Sequence, residues 1–596
     1  MSLLHRRHRL VSLATAATLA LGLPAVGATL LAGPAQSADP AADCKAPFPV
    51  DEIAAGDAVN GLTVVRGTTP TTFTGEVLGV VEDGIGPDIP MVMVDLDMPE
   101  FASTGGIWQG MSGSPVYTAD GRLLGAVGYG LATGPSPIAG ITPFEHMNDY
   151  FPDAPAAPTR VALGKAAART VAARAGISTG EAARGFRELP MPMGISGLSA
   201  RRLAHLQAKA PALVEKSSYV LGRAAAAAPG AETMVAGGNL AVSAAYGDVT
   251  MAGIGTVTSV CAGRVVGFGH PMALFGATTM GLHPADAVYV QPDPVAAPFK
   301  VANIGPAVGT VTDDRLTGVT GTFGAAPASA AITSNVTYGT RSRTGSTAVS
   351  VQDFAPDVTL MQLVANQDRV VDGAAKGSSL LTWQVTGAEG GKPFSLSYTD
   401  RWTSSDLSFE SALGVAELVA YLRSLDDVTI GSVTATANLT DDLRRHTLAA
   451  VEQRRGGQWV RVTRRAPAIG RAGKTIRLRA VVGGRAGKQV VPLKPISLPK
   501  RARGVLMLVA EGGDGAWASP SGTRTSQVGA ALAKQLRHDQ IRVQVGTPNK
   551  VDLGGSDLDE LLEMLGRRRA SFVQSQTSAP LGHVVAGSKT LSVFVR

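Results

Sequence analysis

Residues 105–130 read GGIWQGMSGSPVYTADGRLLGAVGYG, and their reading sets the fold class. GRLLGAVGYG has the apolar, glycine-spaced character of a strand that pairs back on the one carrying Val116 and Tyr117, with Asp120-Gly121 as the hairpin turn. Outward from there, VVRG (64–67), EVLGVV (76–81) and MVMVDLDM (91–98) are short apolar or alternating runs divided by Gly, Pro and Asp. Seventy-one glycines and few aromatics in the whole chain suit many short strands, so a mainly β protein is expected.

At 596 residues the chain is too long for one core. A β unit over 39–150 gives way over 151–237 to an alanine- and arginine-rich stretch. There LGKAAARTVAARAG and SARRLAHLQAKA have helical period and RAAAAAPGAE reads as a joint, so this is a helical insertion or linker. Strands return over 238–336 with NLAVSAAY, GTVTSV, RVVGFG and GTVTDDRLTGVTGTFG. Residues 337–510 read as further strands with one helix at Ser411–Leu425, ending in a small antiparallel sandwich. Residues 511–596 form an α/β segment with two amphipathic helices, SQVGAALAKQLR and SDLDELLEMLGRRR.

Residues 1–38 hold a basic start (Arg6, Arg7, Arg9), an Ala/Leu-rich run and small residues at Ala35-Gln36-Ser37-Ala38, the pattern of an export signal. Gly22, Pro24 and Gly27 break the run, which argues against an uncleaved anchor, and Arg6-Arg7 also suits the twin-arginine route. No later stretch is long and apolar enough to span a bilayer, so a secreted or envelope-associated protein is expected. Loss of three arginines and no acid would lower the formal charge from +7 to +4, a scattered, mild balance that does not suit nucleic-acid binding. The two cysteines, Cys44 and Cys261, are free to pair in an oxidising compartment, but sequence does not fix their distance. No His or Cys pair has zinc spacing and no phosphate loop is present, so no metal or cofactor is expected.

A serine hydroxyl needs a base and a tight, glycine-lined turn whose N–H groups converge on an oxyanion. In GMSGSP, Ser112 lies between Gly110 and Gly113, which puts the N–H groups of Gly110 and Ser112 where an oxyanion hole needs them. The plain alternative is a serine that caps a turn, and the search for a base decides between them. His5 and His8 leave with the signal. His205 sits on a polar helix, His446, His538 and His583 in charged or C-terminal surroundings, and His146 and His283 near turns. His270, in RVVGFGHP, ends a strand and follows a glycine turn that lets its ring enter a cleft.

GGIWQGMSGSPVYTADGRLLGAVGYG and GIGTVTSVCAGRVVGFGHPM together resemble the two signature segments of the SpoIVB-type serine peptidase family, over roughly residues 50–335 including GTVTDDRLTGV. The resemblance implies a trypsin-like double β-barrel endopeptidase acting on protein or peptide substrates, with Ser112 as nucleophile and His270 as general base. The order is permuted: in the sporulation protease the histidine motif comes first. Triads are defined by geometry and not by chain order, so exchanged barrel halves are compatible with it. No PDZ-like segment is evident. For a third member, strand alternation puts Asp95 and Asp97 on one face, and Asp97, fifteen residues before Ser112, resembles the placement of the sporulation protease's acid, with Asp95 as the alternative. Asp313 and Asp314 are weaker candidates, and a Ser–His dyad oriented by a backbone carbonyl is another. Against the peptidase stand a catalytically silent binding or scaffold protein, suggested by the long C-terminal half, and a protease that cleaves only itself.

Overall fold

A computed structural model describes residues 42–147, 161–189, 194–214, 219–220, 229–293, 297–515, 519–547 and 572–596. Residues 1–38, read above as an export signal, most of the joint expected at 223–232, and the helix expected at 556–569 lie outside these residues.

The hairpin read from the quoted stretch is one side of a closed barrel. Its strands are β1 (Ala58–Thr63), β2 (Thr71–Gly86), β3 (Ile89–Asp97), β4 (Pro115–Thr118), β5 (Leu123–Leu131) and β6 (Ile138–Pro143). They follow the order β4-β1-β2-β3-β6-β5, all antiparallel, and β4 pairs β5 to close the ring. Phe73, Val77, Val92, Val94, Leu124 and Ile141 fill it, with Trp108 and Met111 from the serine loop buried among them. The loop therefore stands on two large apolar side chains sunk in the core.

Three short strands link this barrel to the next: β7 (Phe186–Glu188), β8 (Gly194–Ser196) and β9 (Tyr219–Val220). β7 pairs β5 of the first barrel and β8 pairs β11 (Thr250–Cys261) of the second, so the insertion edges both. Its two expected helices are Lys165–Ala175, stopped by Gly176 in the left-handed region (φ 64°), and Ala200–Lys209, capped by Ser199 Oγ accepting from Arg202 N–H.

The second barrel has β10 (Asn239–Gly247), the strand β11, β12 (Arg264–Gly267), β13 (Gly276–His283), β16 (Gly309–Arg315) and β17 (Gly318–Phe323). Its order is β10-β13-β16-β17-β12-β11, closed by β10 with β11. Leu240, Val242, Val257, Val265, Phe268 and Met280 are in its core. Between β13 and β16 the hairpin β14 (Ala285–Gln291) and β15 (Phe299–Ile304) leaves the barrel, and Val290 reaches the core of the first one. The chain is thus mainly β, with two closed six-stranded antiparallel barrels in the manner of a double-barrel peptidase unit.

Beyond the barrels, β18 (Ala330–Tyr338), β19 (Arg341–Val349), β20 (Gly377–Glu389), β21 (Lys392–Ser404) and β22 (Val428–Thr440) form a layer continuous with β10 through β19. The helices Ala355–Val371 and Leu407–Arg423 pack on it. The first of these was read from sequence as strand. Buried residues lie on every side of it, so it carries no amphipathic stripe. The last third has two five-stranded sheets sharing one core. The antiparallel sandwich expected here is mixed: His446–Arg455 runs parallel to Val585–Ala586, and Ala468–Gly470 parallel to Ser588–Val595. The helix at Thr525–Leu532 covers only the first part of the expected SQVGAALAKQLR, starting one residue before it.

Candidate active site

The loop between Gly106 and Pro115 is fixed from inside its own barrel and from the other. Met111 N–H donates to Trp108 C=O (3.0 Å), Ser114 N–H to Met111 C=O (3.0 Å) and Gly113 N–H to Val127 C=O (2.7 Å). Its carbonyls meet β11, where Thr256 and Thr258 share one face by strand alternation. Thr256 donates through N–H to Ser112 C=O (2.8 Å) and through Oγ1 to Gly110 C=O (3.0 Å), while Thr258 Oγ1 donates to Gly113 C=O (2.8 Å). Gly110 and Gly113 have φ of 98° and 95°, and a Cβ on Gly113 would lie 2.0 Å from Thr256 O. Among the described residues no acceptor takes the N–H of Gly110 or Ser112. One donor is the main-chain N–H of Ser112 itself and the other lies two residues before it in the same turn.

The histidine arrives by a sharp reversal after β12. Phe268 and Gly269 are both left-handed, with φ of 72° and 70°. A left-handed phenylalanine is strained, and full burial in the barrel core holds it there. Thr142 Oγ1 of β6 donates to Gly269 C=O at 2.5 Å, so the first barrel holds the histidine turn as the second holds the serine turn. Past the ring, the buried Asp314 carboxylate accepts the N–H groups of Met272 (2.7 Å), Ala273 (2.9 Å) and Phe275 (3.2 Å).

The structure brings Ser112 and His270 together. His270 Nε2 lies 2.9 Å from Ser112 Oγ, and Nδ1 lies 2.7 Å from the Pro271 carbonyl. Burial pushes the His270 pKa down to about 4, with the Pro271 carbonyl acting weakly in the other direction, so the ring is neutral at pH 7. A carbonyl only accepts, so Nδ1 carries the ring proton and Nε2 is left to accept from the serine hydroxyl. That is the tautomer a general base needs.

The acids lie elsewhere. Val94 and Leu96 point into the first barrel, and Asp95 and Asp97 line a depression of about 750 Å³ on its outer side with Glu76 and Arg174. Asp97 is exposed, and Asp95 pairs with Arg174 at 3.7 Å. Burial raises the Asp95 pKa, Arg174 lowers it, and Glu76 and Asp97 raise it further. The described hydrogen bonds of the His270 ring go to Ser112 and Pro271, not to either carboxylate. Asp313 bonds Arg315, and Asp314 holds the loop after the histidine instead of the ring.

A second pair tests how selective this geometry is. Ser243 Oγ lies 2.7 Å from His283 Nε2, with His283 Nδ1 3.0 Å from the Gly305 carbonyl, the same three groups in the same order. Ser243 sits in mid-strand with β11 and β13 on either side, so its main chain belongs to the sheet and no N–H pair converges beside its hydroxyl. It is a buried structural pair. Sequence reading did not find it, and it did not single out Thr142, Thr256, Thr258 or Lys300, which has no local motif to mark it.

Two facing barrels with a serine–histidine pair between them define the double-barrel class of serine-peptidase architecture. Residues 40–145 match the model of the SpoIVB peptidase S55 family, a segment that covers the first barrel and the serine loop but ends before His270. The match supports a serine-peptidase-type function in general. No curated protein and no solved structure matches the chain. Among the described residues no helix is long and apolar enough to cross a membrane, and no cluster of three or more His, Cys, Asp or Glu side chains is placed to hold a metal ion.

Proposed function

We propose that the protein is an exported serine endopeptidase working through a Ser112–His270 dyad oriented by the Pro271 carbonyl. The observation that carries the reading is the 2.9 Å contact from Ser112 Oγ to a neutral His270 Nε2 beside two uncommitted N–H groups. In this mechanism Ser112 Oγ attacks the peptide carbonyl while Nε2 takes its proton. The N–H groups of Gly110 and Ser112 hold the oxyanion, and the imidazolium then protonates the leaving amine. Water hydrolyses the acyl-serine by the same relay in reverse. A backbone carbonyl supports the imidazolium less than a carboxylate does, so a slow enzyme with few substrates, its own chain among them, fits this dyad. Export is supported by the signal-like residues 1–38 and by the Cys44–Cys261 disulfide, a bond that persists in oxidising compartments.

The competing reading, a catalytically silent scaffold, draws on burial: Ser112 and His270 are 2% and 1% exposed. A fluorophosphonate probe separates the two. The wild-type full chain is expected to label on Ser112 and the Ser112→Ala variant to lose the label with an unchanged melting profile; equal labelling of both sinks the assignment.

A further inference from the structure

Lys300, at the second position of β15, is 2% exposed, and its side chain lies against the serine loop. Its N–H donates to Gln109 C=O (2.9 Å), while Gln109 N–H donates to Pro298 C=O (2.8 Å), so the start of β15 is stitched to the residue preceding Gly110. A Cβ built on Gly110 would lie 2.8 Å from Lys300 Cβ and 3.5 Å from its Cδ, so the lysine stem fills the space over that α-carbon. The ammonium donates to Asn239 Oδ1 at 2.9 Å. Asn239 in turn donates to the carbonyls of Gly67 and Ala285, and it stands opposite Thr256 on β11, the residue that holds Gly110 and Ser112.

A buried cation normally has a carboxylate, and here the described partner is a neutral amide. Among the described residues, the strands and the loop that meet Lys300 place no acid on it. The serine loop has none, β10 meets it through Asn239, and Asp286, the single acid of β14, is opposite Asn303 while Lys300 is opposite Val290. A cation without a counter-ion beside an oxyanion loop is stabilised when negative charge forms there.

Resting on the peptidase reading above, we propose that Lys300 is a positioning residue of the Ser112 site: its stem holds Gly110, and its ammonium, bonded to the neutral Asn239, supports the negative charge that forms at the N–H groups of Gly110 and Ser112. Burial pushes the Lys300 pKa down to about 7, so the support is present below that pH and lost above it.

The test is the rate of fluorophosphonate labelling of Ser112 from pH 5 to 9.5 in the full-length wild type, Lys300→Met and Asn239→Asp. The wild type is expected to lose rate above about pH 7. Lys300→Met should be about tenfold slower below that pH and have no alkaline limb. Asn239→Asp gives up the bonds that Asn239 donates to the Gly67 and Ala285 carbonyls but places a carboxylate on the ammonium, and should move the limb upward by a pH unit or more. It retains Lys300, so it tests the inference even if Lys300→Met does not fold. A Lys300→Met profile of wild-type shape scaled by a constant, or a limb that Asn239→Asp leaves in place, overturns the role of the ammonium. Absence of Ser112 labelling in the wild type at every pH instead overturns the peptidase reading, so the two failures are distinct.

Discussion

Thr256 concentrates the coupling between the barrels in one side chain, since its N–H and Oγ1 hold the carbonyls on either side of Met111. Thr256→Val keeps the shape and the main-chain bond but leaves Gly110 C=O buried without its donor, a cost of about 1–3 kcal/mol. The Gly110 peptide is then free to turn its N–H away from the oxyanion position. We expect a fall in Ser112 labelling of tenfold or more, larger than the change in denaturant midpoint accounts for; an unchanged labelling rate would show that the loop holds itself. The closeness of Ser112 to His270 could be anticipated because the glycines around each leave a local trace in sequence. Thr256, Thr142 and Lys300 leave none, because the loop residues they hold, Gly110 and Gly269, are at least a hundred residues away in the chain. The placing of Asp95 and Asp97 on one face of β3 was right as alternation, but period two does not say which face is the outside. The flanking Val92, Val94 and Leu96 hold the inner one.

At the scale of elements, the segment that carries His270 is a loop clamped by a strand. Asp314 on β16 holds the N–H groups of Met272, Ala273 and Phe275 with both oxygens, and burial raises its pKa against the pull of those N–H groups. Asn at 314 has one acceptor oxygen and turns an NH2 toward donors. Asp314→Asn should therefore cost about 2–3 kcal/mol and slow Ser112 labelling at least tenfold. Asp313→Asn, next door, weakens a partly solvated pair with Arg315 and an exposed hydrogen bond from Thr312 Oγ1, and should cost under about 1 kcal/mol. Thermal melts of the two variants check the contrast, and equal melting shifts would refute the clamp. The barrels were legible as elements because their turns carry glycine and their strands are short and apolar. The helix Ala355–Val371 was not, because its core role makes Leu360, Met361, Leu363 and Val364 consecutive apolar positions without a polar face.

For the whole molecule, the joint between barrels is covalent as well as hydrogen-bonded. Cys44 and Cys261 are disulfide-bonded across 217 residues, and Asp43 bonds Val260 and Ser259 beside them. The sequence left that pairing open, because its distance depends on how both barrels close. The same burial that sets the chemistry also fixes the acid limit of the fold. His270 and His283 are fully buried, and burial lowers both pKa values to about 4. In the unfolded chain each takes a proton near its ordinary pKa of about 6.5. The unfolded state therefore binds more protons between those values, and stability falls as pH drops from about 6.5 to 4, by about 3 kcal/mol per histidine. Set against a total of about 5–15 kcal/mol for a typical domain, two such residues in one barrel remove a large share of its stability before His270 titrates in the folded state. Denaturant titrations at pH 7 and pH 5 should show this loss, and His283→Gln should remove about half of the pH dependence. A midpoint independent of pH across that window would mean that water or a proton reaches these rings in the folded protein, and the neutral general base assigned to His270 would fall with it.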